Sequence, residues 1–568
     1  MTRVPFVSCR SGLRPGRPPA RRSVAAAALS ALTVAVGIAA PAIAAPPAAT
    51  PDPAVAAGRR IYLDGVLPSG KPVRGTMQGD VTFTGLQASC GSCHRRSGFG
   101  ASEAGAVAPP VIGEFLYRPI AVGAEQTGLR RSHGPGTRPA YTDETLVQAI
   151  RQGVDPTGRA FDPLMPRFEL SDADAAALVA YLKTLGTGPS PGVNEDTIHL
   201  ATVVTPGVSQ ARRAALLDVL QAFLADRNVG SRLEDERKVR SGWEMKRKYG
   251  AWRRLALHVW ELDGPSASWR GQLEQSYRAQ PVFALLSGIG SGDWRPVHEF
   301  CEANEVPCLF PITDQPVVAA ADYYSFYFSR GLVLEAEALA THLRDAQLDG
   351  PVLQVFRAGS PGVAAAAAFR QAVAGAAVVV DRELAGVGPP QAAFWRSLLE
   401  GSPPAALVLW LGEADLGGLA AAPTGKTAVY LPGSLLSDGT AGALPPLPAG
   451  ARLTWPFALP PAAGTSPSRA RVWLKSRGLG QVDERVQTGA FFAASLFNDG
   501  LKELHGYFVR DYLIERLEHM VDSSVTTSVY PRVSLSPGVR FASKGCSIVR
   551  LGSGDPPTPE PVSDWIVP

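Results

Sequence analysis

The most specific chemistry in the chain is carried by five consecutive residues, Cys90-Gly91-Ser92-Cys93-His94. Two thiols three positions apart, followed at once by His, form the pattern of covalent c-type haem attachment. One helical turn presents both sulfurs to the two vinyl groups, and the imidazole is placed over the iron as proximal ligand. The same spacing also fits a disulfide, a thioredoxin-like redox pair or half of a zinc site. A zinc site wants two further Cys or His ligands, and His133 alone lies within 70 residues. A thioredoxin-like pair wants a preceding core strand and a following helix in an α/β unit.

A haem iron held by His94 needs a sixth ligand, and the chain has only five Met. Met165 stands in Phe161-Asp162-Pro163-Leu164-Met165-Pro166-Arg167-Phe168, a Pro-rich loop 71 residues after His94. The next helix has a start signal in Ser171-Asp172-Ala173-Asp174 and runs from Ala175 to Leu185 with apolar residues at helical spacing. Core packing is the ordinary role of a Met, but an ordered loop just before a C-terminal helix favours ligation. Met77 and His133 are the alternatives, His133 in a Gly/Pro-flanked, Arg-rich loop.

With these features in place, residues 52–187 resemble a monohaem cytochrome c of the small helical type. The likeness rests on an N-terminal helix with Gly58 and Tyr62, the haem motif, Pro109-Pro110, and Tyr141-Thr142-Asp143-Glu144 opening a helix. The Met165 loop and the C-terminal helix complete it. The resemblance implies a small all-α domain, His/Met coordination of one covalent haem c, and one-electron transfer. Such ligation raises the reduction potential relative to bis-nitrogen coordination. The segment Gly65 to Ala88 is a longer insert than the family carries, a candidate cover for a haem edge or a partner surface. Pro110 is a candidate for the carbonyl that orients His94 through its other ring nitrogen.

The N-terminus supports the same compartment. The first 44 residues hold six Arg and no acidic residue, an uncharged stretch runs from Val24 to Ala40, and Ala42-Ile43-Ala44 is a small-x-small cleavage site. This order predicts a signal peptide cleaved after Ala44, hence export to the periplasm. An uncleaved anchor is the competing reading, and 17 residues are marginal for spanning. Past residue 44 no apolar run is long enough to cross a bilayer. The formal net charge of +4 belongs to this leader: without its six Arg the chain carries −2. A global basic character, and with it a nucleic-acid partner, is thereby excluded. The basic stretch Arg232 to Arg254, interleaved with Trp243, Tyr249 and Trp252, reads as a solvated helical face, with docking to an acidic redox partner second.

With 45% hydrophobic and 19% charged residues, and 58 Gly and 50 Pro among 568, the chain is globular rather than low-complexity. A Gly/Pro/Ser linker at 188–197 precedes a change of pattern. Short apolar runs at Ile198–Val204, Ala256–Leu262, Val282–Ser287, Val306–Pro311, Val352–Phe356, Ala377–Val380, Ala405–Leu411 and Thr427–Leu431 alternate with helical stretches. Strand–helix alternation on this scale predicts parallel sheets covered on both faces, in two lobes. Ligands in such sheets bind beyond the carboxyl ends of the strands.

This half resembles the type I periplasmic substrate-binding proteins, in particular the branched-chain amino acid and amide receptors of ABC transport systems. The segments that carry the likeness are Phe283 to Gly292, Glu305 to Pro311, Phe326-Tyr327-Phe328-Ser329 and the terminal Tyr530 to Gly538 with Phe541 to Gly545. The resemblance implies ligand contacts on strand-end loops, here Ser287, Thr313, Tyr327 and Ser329. Hydroxyls and free N–H groups there suit an anion, and capping of helix starts is the equal alternative. Leu431-Pro432-Gly433-Ser434 lacks the acidic residue that holds an amino acid's ammonium group in that family, which counts against an amino acid ligand. Cys301 and Cys308 are a candidate disulfide in an oxidising compartment.

The sequence therefore predicts a signal peptide (1–44), a cytochrome c domain (52–187), a linker (188–197), a two-lobed α/β binding domain (198–548) and a Pro-rich tail (549–568). The expected function is single-electron transfer to or from a periplasmic partner, with a dehydrogenase as one candidate, joined to a module for a small-molecule ligand. The alternative is a transport or sensing receptor whose haem modulates binding. No nucleophile–base constellation is visible in residues 198–548, so no bond-making chemistry is assigned. A haem peroxidase needs an open sixth position, against which Met165 stands.

Overall fold

The computed structural model describes residues 52–568 except 78–79, 104–105, 120–137, 241–252, 318, 320–321, 349, 387, 401–402, 437–445, 461–467, 522–527 and 553–556. The leader, His133 and most of the basic stretch lie outside the described residues.

Helix α1 (Pro53–Asp64) starts where Asp52 accepts the N–H of Ala54, with Pro at the first turn, and stops at Gly65 in the left-handed region (φ 64°). Four further helices follow: α2 (Gly91–His94), α3 (Gly113–Leu116), α4 (Asp143–Gln152) and α5 (Asp172–Thr184). Thr142 and Thr145 form a reciprocal cap on α4, and the Ser171 side chain caps α5. Helices α1 and α5 cross so closely at Gly58 that a Cβ there would lie 2.0 Å from the carbonyl oxygen of Ala177. Any other residue would push the two helices apart.

The all-α expectation needs correcting for this region. Within the insert 65–88, β1 (Arg74–Thr76) and β2 (Thr82–Thr84) pair antiparallel, and β1 also pairs with β5 (Arg167–Phe168). A second small pair joins β3 (Ala101–Glu103) to β4 (Ala106–Ala108). Strands of two or three residues are too short to display a period of two, which is why the pattern did not show them.

The larger half holds two sheets. The first is wholly parallel in the order β10-β9-β8-β6-β7, built from β6 (Thr197–Val204), β7 (Arg254–Glu261), β8 (Ala284–Leu286), β9 (Cys308–Leu309) and β10 (Ser325–Phe326). Alternate residues feed two layers: Ala201, Val203 and Leu285 pack with Trp269, Val297 and Phe300, while Leu200, Ala284 and Leu286 join Leu216, Leu220 and Phe497. Burial on both faces explains the continuous apolar runs. Helix α6 (Gln210–Arg240) is longer than its apolar pattern and carries its backbone into the basic stretch.

The second sheet has the order β12-β11-β13-β14-β15-β16-β17. Its parallel strands are β11 (Val352–Arg357), β12 (Val379–Leu384), β13 (Ala406–Trp410), β14 (Ala428–Pro432) and β15 (Arg452–Trp455). The last two, β16 (Ser547–Leu551) and β17 (Pro559–Pro561), run antiparallel. Residues 549–568 are thus not a detached tail. They complete this sheet, and Cys546 bridges Ile566. Pro lacks an N–H for a ladder, so a Pro-bearing strand is confined to an edge, where β17 lies.

The chain passes between the lobes three times. It leaves the first sheet after β10 and returns after β15 with the Glu484–Glu503 helix, which packs against β8 and α6. It crosses back before β16. No helix of the described residues is long and apolar enough to cross a membrane.

Candidate functional site

Cys90, Cys93 and His94 share the single turn of α2, where the N–H groups of Cys93 and His94 both donate to the Cys90 carbonyl (3.2 and 2.8 Å). Neither thiol is in a disulfide. Burial pushes the Cys90 thiol up to about 12, opposite to the lowered value of a thiolate nucleophile. The His94 ring is buried, which holds it neutral more strongly than the nearby carbonyl favours its charge. Its Nδ1 lies 2.8 Å from the carbonyl oxygen of Pro109. A carbonyl can only accept, so Nδ1 carries the proton and Nε2 is left with its lone pair. The orienting carbonyl therefore comes from Pro109, one residue before the sequence candidate Pro110. Nε2 has no hydrogen-bond partner among the described residues.

Tyr62 of α1 locks this turn from behind, its hydroxyl donating to the Arg95 carbonyl (2.8 Å) and its ring against Tyr181 of α5. Gly98 and Gly100 take positive φ (76° and 79°), and a Cβ on Gly100 would lie 2.1 Å from the Ala108 carbonyl oxygen. This tight approach carries the chain round to Pro109.

Met165 is half-buried against the core of the same region. Its N–H donates to the Asp162 carbonyl (2.9 Å), and Asp162 Oδ1 accepts the N–H of Leu164 (3.0 Å), so Asp162 closes the turn by itself. The insert braces the loop from outside: Gly75 and Thr76 of β1 register with Phe168 and Arg167 of β5. Met77 stands at the tip of that hairpin, its N–H donating to Val81. Leu86 and Leu164 are turned out to solvent (69% and 56% exposed). A pair of thiols on one turn, an oriented neutral imidazole and outward apolar side chains suit a porphyrin with thioether links. Such a donor set would offer Nε2 to an iron.

The segment after His94 docks onto the larger half, a relationship with no local signal in the sequence. Arg96 lies over the rings of Tyr323 and Tyr324 (4.7 and 5.4 Å to the centroids) and pairs with Glu305 and Asp511 (3.3 Å each). Glu515 accepts the N–H and the hydroxyl of Ser97 (2.8 and 2.5 Å). Phe99 stacks on Tyr512 at 4.2 Å. Arg510 ties the linker to the first sheet, donating to the carbonyls of Pro191, Val282, Phe283, Asn304 and Glu305 and to the Tyr277 hydroxyl. Burial pushes the Asp511 carboxyl up against the pull of Arg96, and pushes Glu515 to about 8 against the Ser97 hydrogen bonds.

The four strand-end residues of the larger half do not form one cluster. The Ser287 hydroxyl donates to the Phe310 carbonyl (3.4 Å), and its backbone has φ 54°. Thr313 Oγ1 accepts the N–H of Gln315, and Ser329 Oγ accepts that of Gly331, both turn-capping contacts. Tyr327 belongs to the other layer, its hydroxyl 2.9 Å from His298 Nδ1 and its ring on Phe541. Arg485, which has no local signal in the sequence, touches both lobes. It pairs with Asp314 (2.7 Å), donates to the carbonyls of Thr313 and Ser434, and lies over the Phe457 and Tyr530 rings. Glu335 accepts the hydroxyls of Ser434 and Thr454. Burial pushes its carboxyl up to about 7 against those hydrogen bonds.

Cys301 and Cys308 are joined by a disulfide that ties the Arg295–Ala303 helix to β9, with 6.2 Å between Cα atoms. Nearby, His298, Glu302 and Asp322 bring three ligand atoms within 4.8 Å of one another. Glu302 is already engaged by the N–H groups of Tyr323 and Tyr324 and the Ser325 hydroxyl. Asp322 accepts from Ala319, and His298 bridges Asp322 and Tyr327. The group is a satisfied polar network that fixes β10.

No curated protein matches this chain. Among solved structures it is similar to a leucine-binding protein from Thermotoga maritima (12% identity, 65% of this chain and 99% of that one, TM-score 0.47). It is also similar to a valine-bound branched-chain amino acid ABC transporter protein from Thermus thermophilus (12%, 66% and 98%, TM-score 0.48). A third is a Rhodopseudomonas palustris solute-binding protein in complex with 3,4-dihydroxybenzoic acid (15%, 66% and 98%, TM-score 0.47). Residues 83–186 match the family model described as cytochrome c, a family whose members carry covalently bound haem c.

Proposed function

We propose that this chain is an exported electron-transfer protein in which one haem c module is docked on a two-lobed solute-binding module. Residues 52–187 would hold the haem through thioether bonds from Cys90 and Cys93, with His94 Nε2 and Met165 Sδ as the iron ligands. Residues 198–566 bind a small solute between the lobes, and the linker 188–197 is pinned by Arg510. When bound, the haem supplies reversible one-electron chemistry. The protein's own residues orient and enclose it: the Pro109 carbonyl sets the His94 tautomer, Tyr62 fixes the turn, and the β1–β5 pairing holds the Met165 loop. The expected partner is a periplasmic redox protein, a dehydrogenase being one candidate. The leader ending at Ala44 directs export.

The observation that carries this reading is the oriented, neutral His94 imidazole on the same turn as two unpaired thiols. Production in a host that matures c-type cytochromes tests it. Absorbance that survives denaturation and extraction is expected from the parent and lost on Cys90→Ala with Cys93→Ala. Haem that is absent from the parent, or retained in the double variant, overturns it. A second reading, a receptor whose haem modulates ligand binding, is favoured by the direct seating of residues 96–99 on the binding module. Coupling of that kind is reciprocal, so saturating solute would have to move the reduction potential.

A further inference from the structure

A buried acid from the binding module lies against the loop that carries the proximal histidine. Ser97 is three residues beyond His94, and three residues span at most roughly 11 Å. The Glu515 carboxylate, hydrogen-bonded to Ser97 N and Oγ, therefore lies within about 15 Å of the His94 backbone. No cation pairs with Glu515 among the described residues. Arg96 is taken by Asp511 and Glu305, Arg540 by Glu518, and Arg516 by Glu503. What faces Glu515 is Ser97 and Tyr62 from the haem module, the Tyr323 hydroxyl at 3.5 Å from the strand region, and Asp511 and Glu518 on its own helix.

This balance leaves both protonation states within reach near neutral pH. Burial and the two like charges oppose ionisation, while the Ser97 donors favour it, and the carboxyl titrates at about 8. A change of one unit charge about 15 Å away, at an effective dielectric of about 20, alters proton affinity roughly sixfold, a little under one pKa unit. The group is thus poised to respond to the oxidation state of iron bound at His94.

We propose that Glu515 is a proton-binding site linked to electron transfer at the haem. When a single-electron donor reduces iron bound at His94, the Glu515 carboxyl would hold its solvent-derived proton more tightly, each proton taken up forming the O–H bond of a carboxylic acid. Oxidation returns the electron to an acceptor and the proton to solvent. The charge added at the junction of the two modules is thereby offset in part. The inference rests on the haem attachment proposed above.

The test is the haem midpoint potential of the full, haem-loaded chain as a function of pH, by spectroelectrochemistry. The parent is expected to show a potential that falls by about 46 mV in all as pH rises through about 8, which is a sixfold change in proton affinity converted at 59 mV per tenfold. Glu515→Gln is expected to flatten that window. Ser97→Ala removes a donor to the charged form and is expected to move the window to higher pH while leaving its slope. A flat parent profile overturns the proposal. So does a slope retained in Glu515→Gln, which assigns the proton to the haem's own carboxylates. Should Glu515→Gln fail to fold, an unmoved window in Ser97→Ala overturns it. A chain without covalent haem fails the functional reading first, and is told apart by its absorbance.

Discussion

Glu515 and Ser97, 418 residues apart, are joined by two hydrogen bonds, one to the Ser97 N–H and one to its hydroxyl. Since Ser97 follows His94 on a single tight loop, the side of residues 52–187 that bears His94 is also their docking surface. Arg96, Ser97 and Phe99 each enter a different kind of contact there: ionic, hydrogen-bonded and aromatic. A loop held at three successive points cannot shift without being felt on both sides.

Phe99 should contribute most of the docking energy. It is buried and lies face to face with Tyr512 and tilted against Tyr507. Phe99→Ala is expected to cost about 3–5 kcal/mol, as for a buried Phe truncated in a packed core. All ten Trp lie at or beyond position 243, so Trp fluorescence reports the larger half and haem absorbance the other. In guanidinium titrations the two signals should coincide in the parent and separate in Phe99→Ala. Coincident transitions in both proteins would show that the contact does not couple the halves.

Arg510 is expected to tolerate no substitution by Lys. Its planar fork reaches five carbonyls and a hydroxyl in different directions, and a single ammonium satisfies only a few of them. Each buried carbonyl left without a donor costs about 1–3 kcal/mol. Arg510→Lys should therefore lose at least about 3 kcal/mol in urea unfolding, close to Arg510→Met. A Lys variant within about 1 kcal/mol of the parent would show that geometry matters less there than charge.

What was legible in the sequence was local. The spacing of Cys90, Cys93 and His94, the caps at Thr142 and Ser171, and the apolar runs of β6, β11 and β13 all depend on near neighbours along the chain. What was not legible is held together across hundreds of residues. Phe99 reads as any loop aromatic and Arg485 as any charged residue in the first turn of a helix. Their roles come from Tyr512 and from Asp314 with Ser434. The insert 65–88 was visible as extra length, but its pairing with Phe168 was not, since a strand of three residues has no measurable period.

That pairing makes Gly75 a control on the Met165 loop. A Cβ at Gly75 would lie 3.1 Å from the Phe168 ring and 3.2 Å from Pro166, closer than packed atoms settle without movement. Gly75→Val is expected to weaken Met165 ligation, seen as partial loss of the low-spin, sulfur-ligated spectrum. Met165→Ala should abolish that spectrum. In both variants the covalent haem should remain, because Cys90 and Cys93 are untouched. An unchanged spectrum in Met165→Ala would assign the sixth position elsewhere, with Met77 the next candidate.

Glu335 predicts a pH dependence of stability with a definite sign. Its folded carboxyl titrates at about 7 against an ordinary 4.5, because burial outweighs the hydrogen bonds from Ser434 and Thr454. Between those two values the folded state holds more protons than the unfolded one, so stability falls as pH rises through the window and levels off above it. A shift of this size corresponds to about 3 kcal/mol. Glu335→Gln keeps the shape and the hydrogen-bonding capacity of the neutral acid but cannot ionise. Its unfolding free energy should match the parent near pH 4.5 and exceed it by up to about 3 kcal/mol above pH 7. Equal stabilities across that range would mean that Glu335 is ionised in the folded protein, and that the junction of Ser434 and Thr454 accommodates the charge.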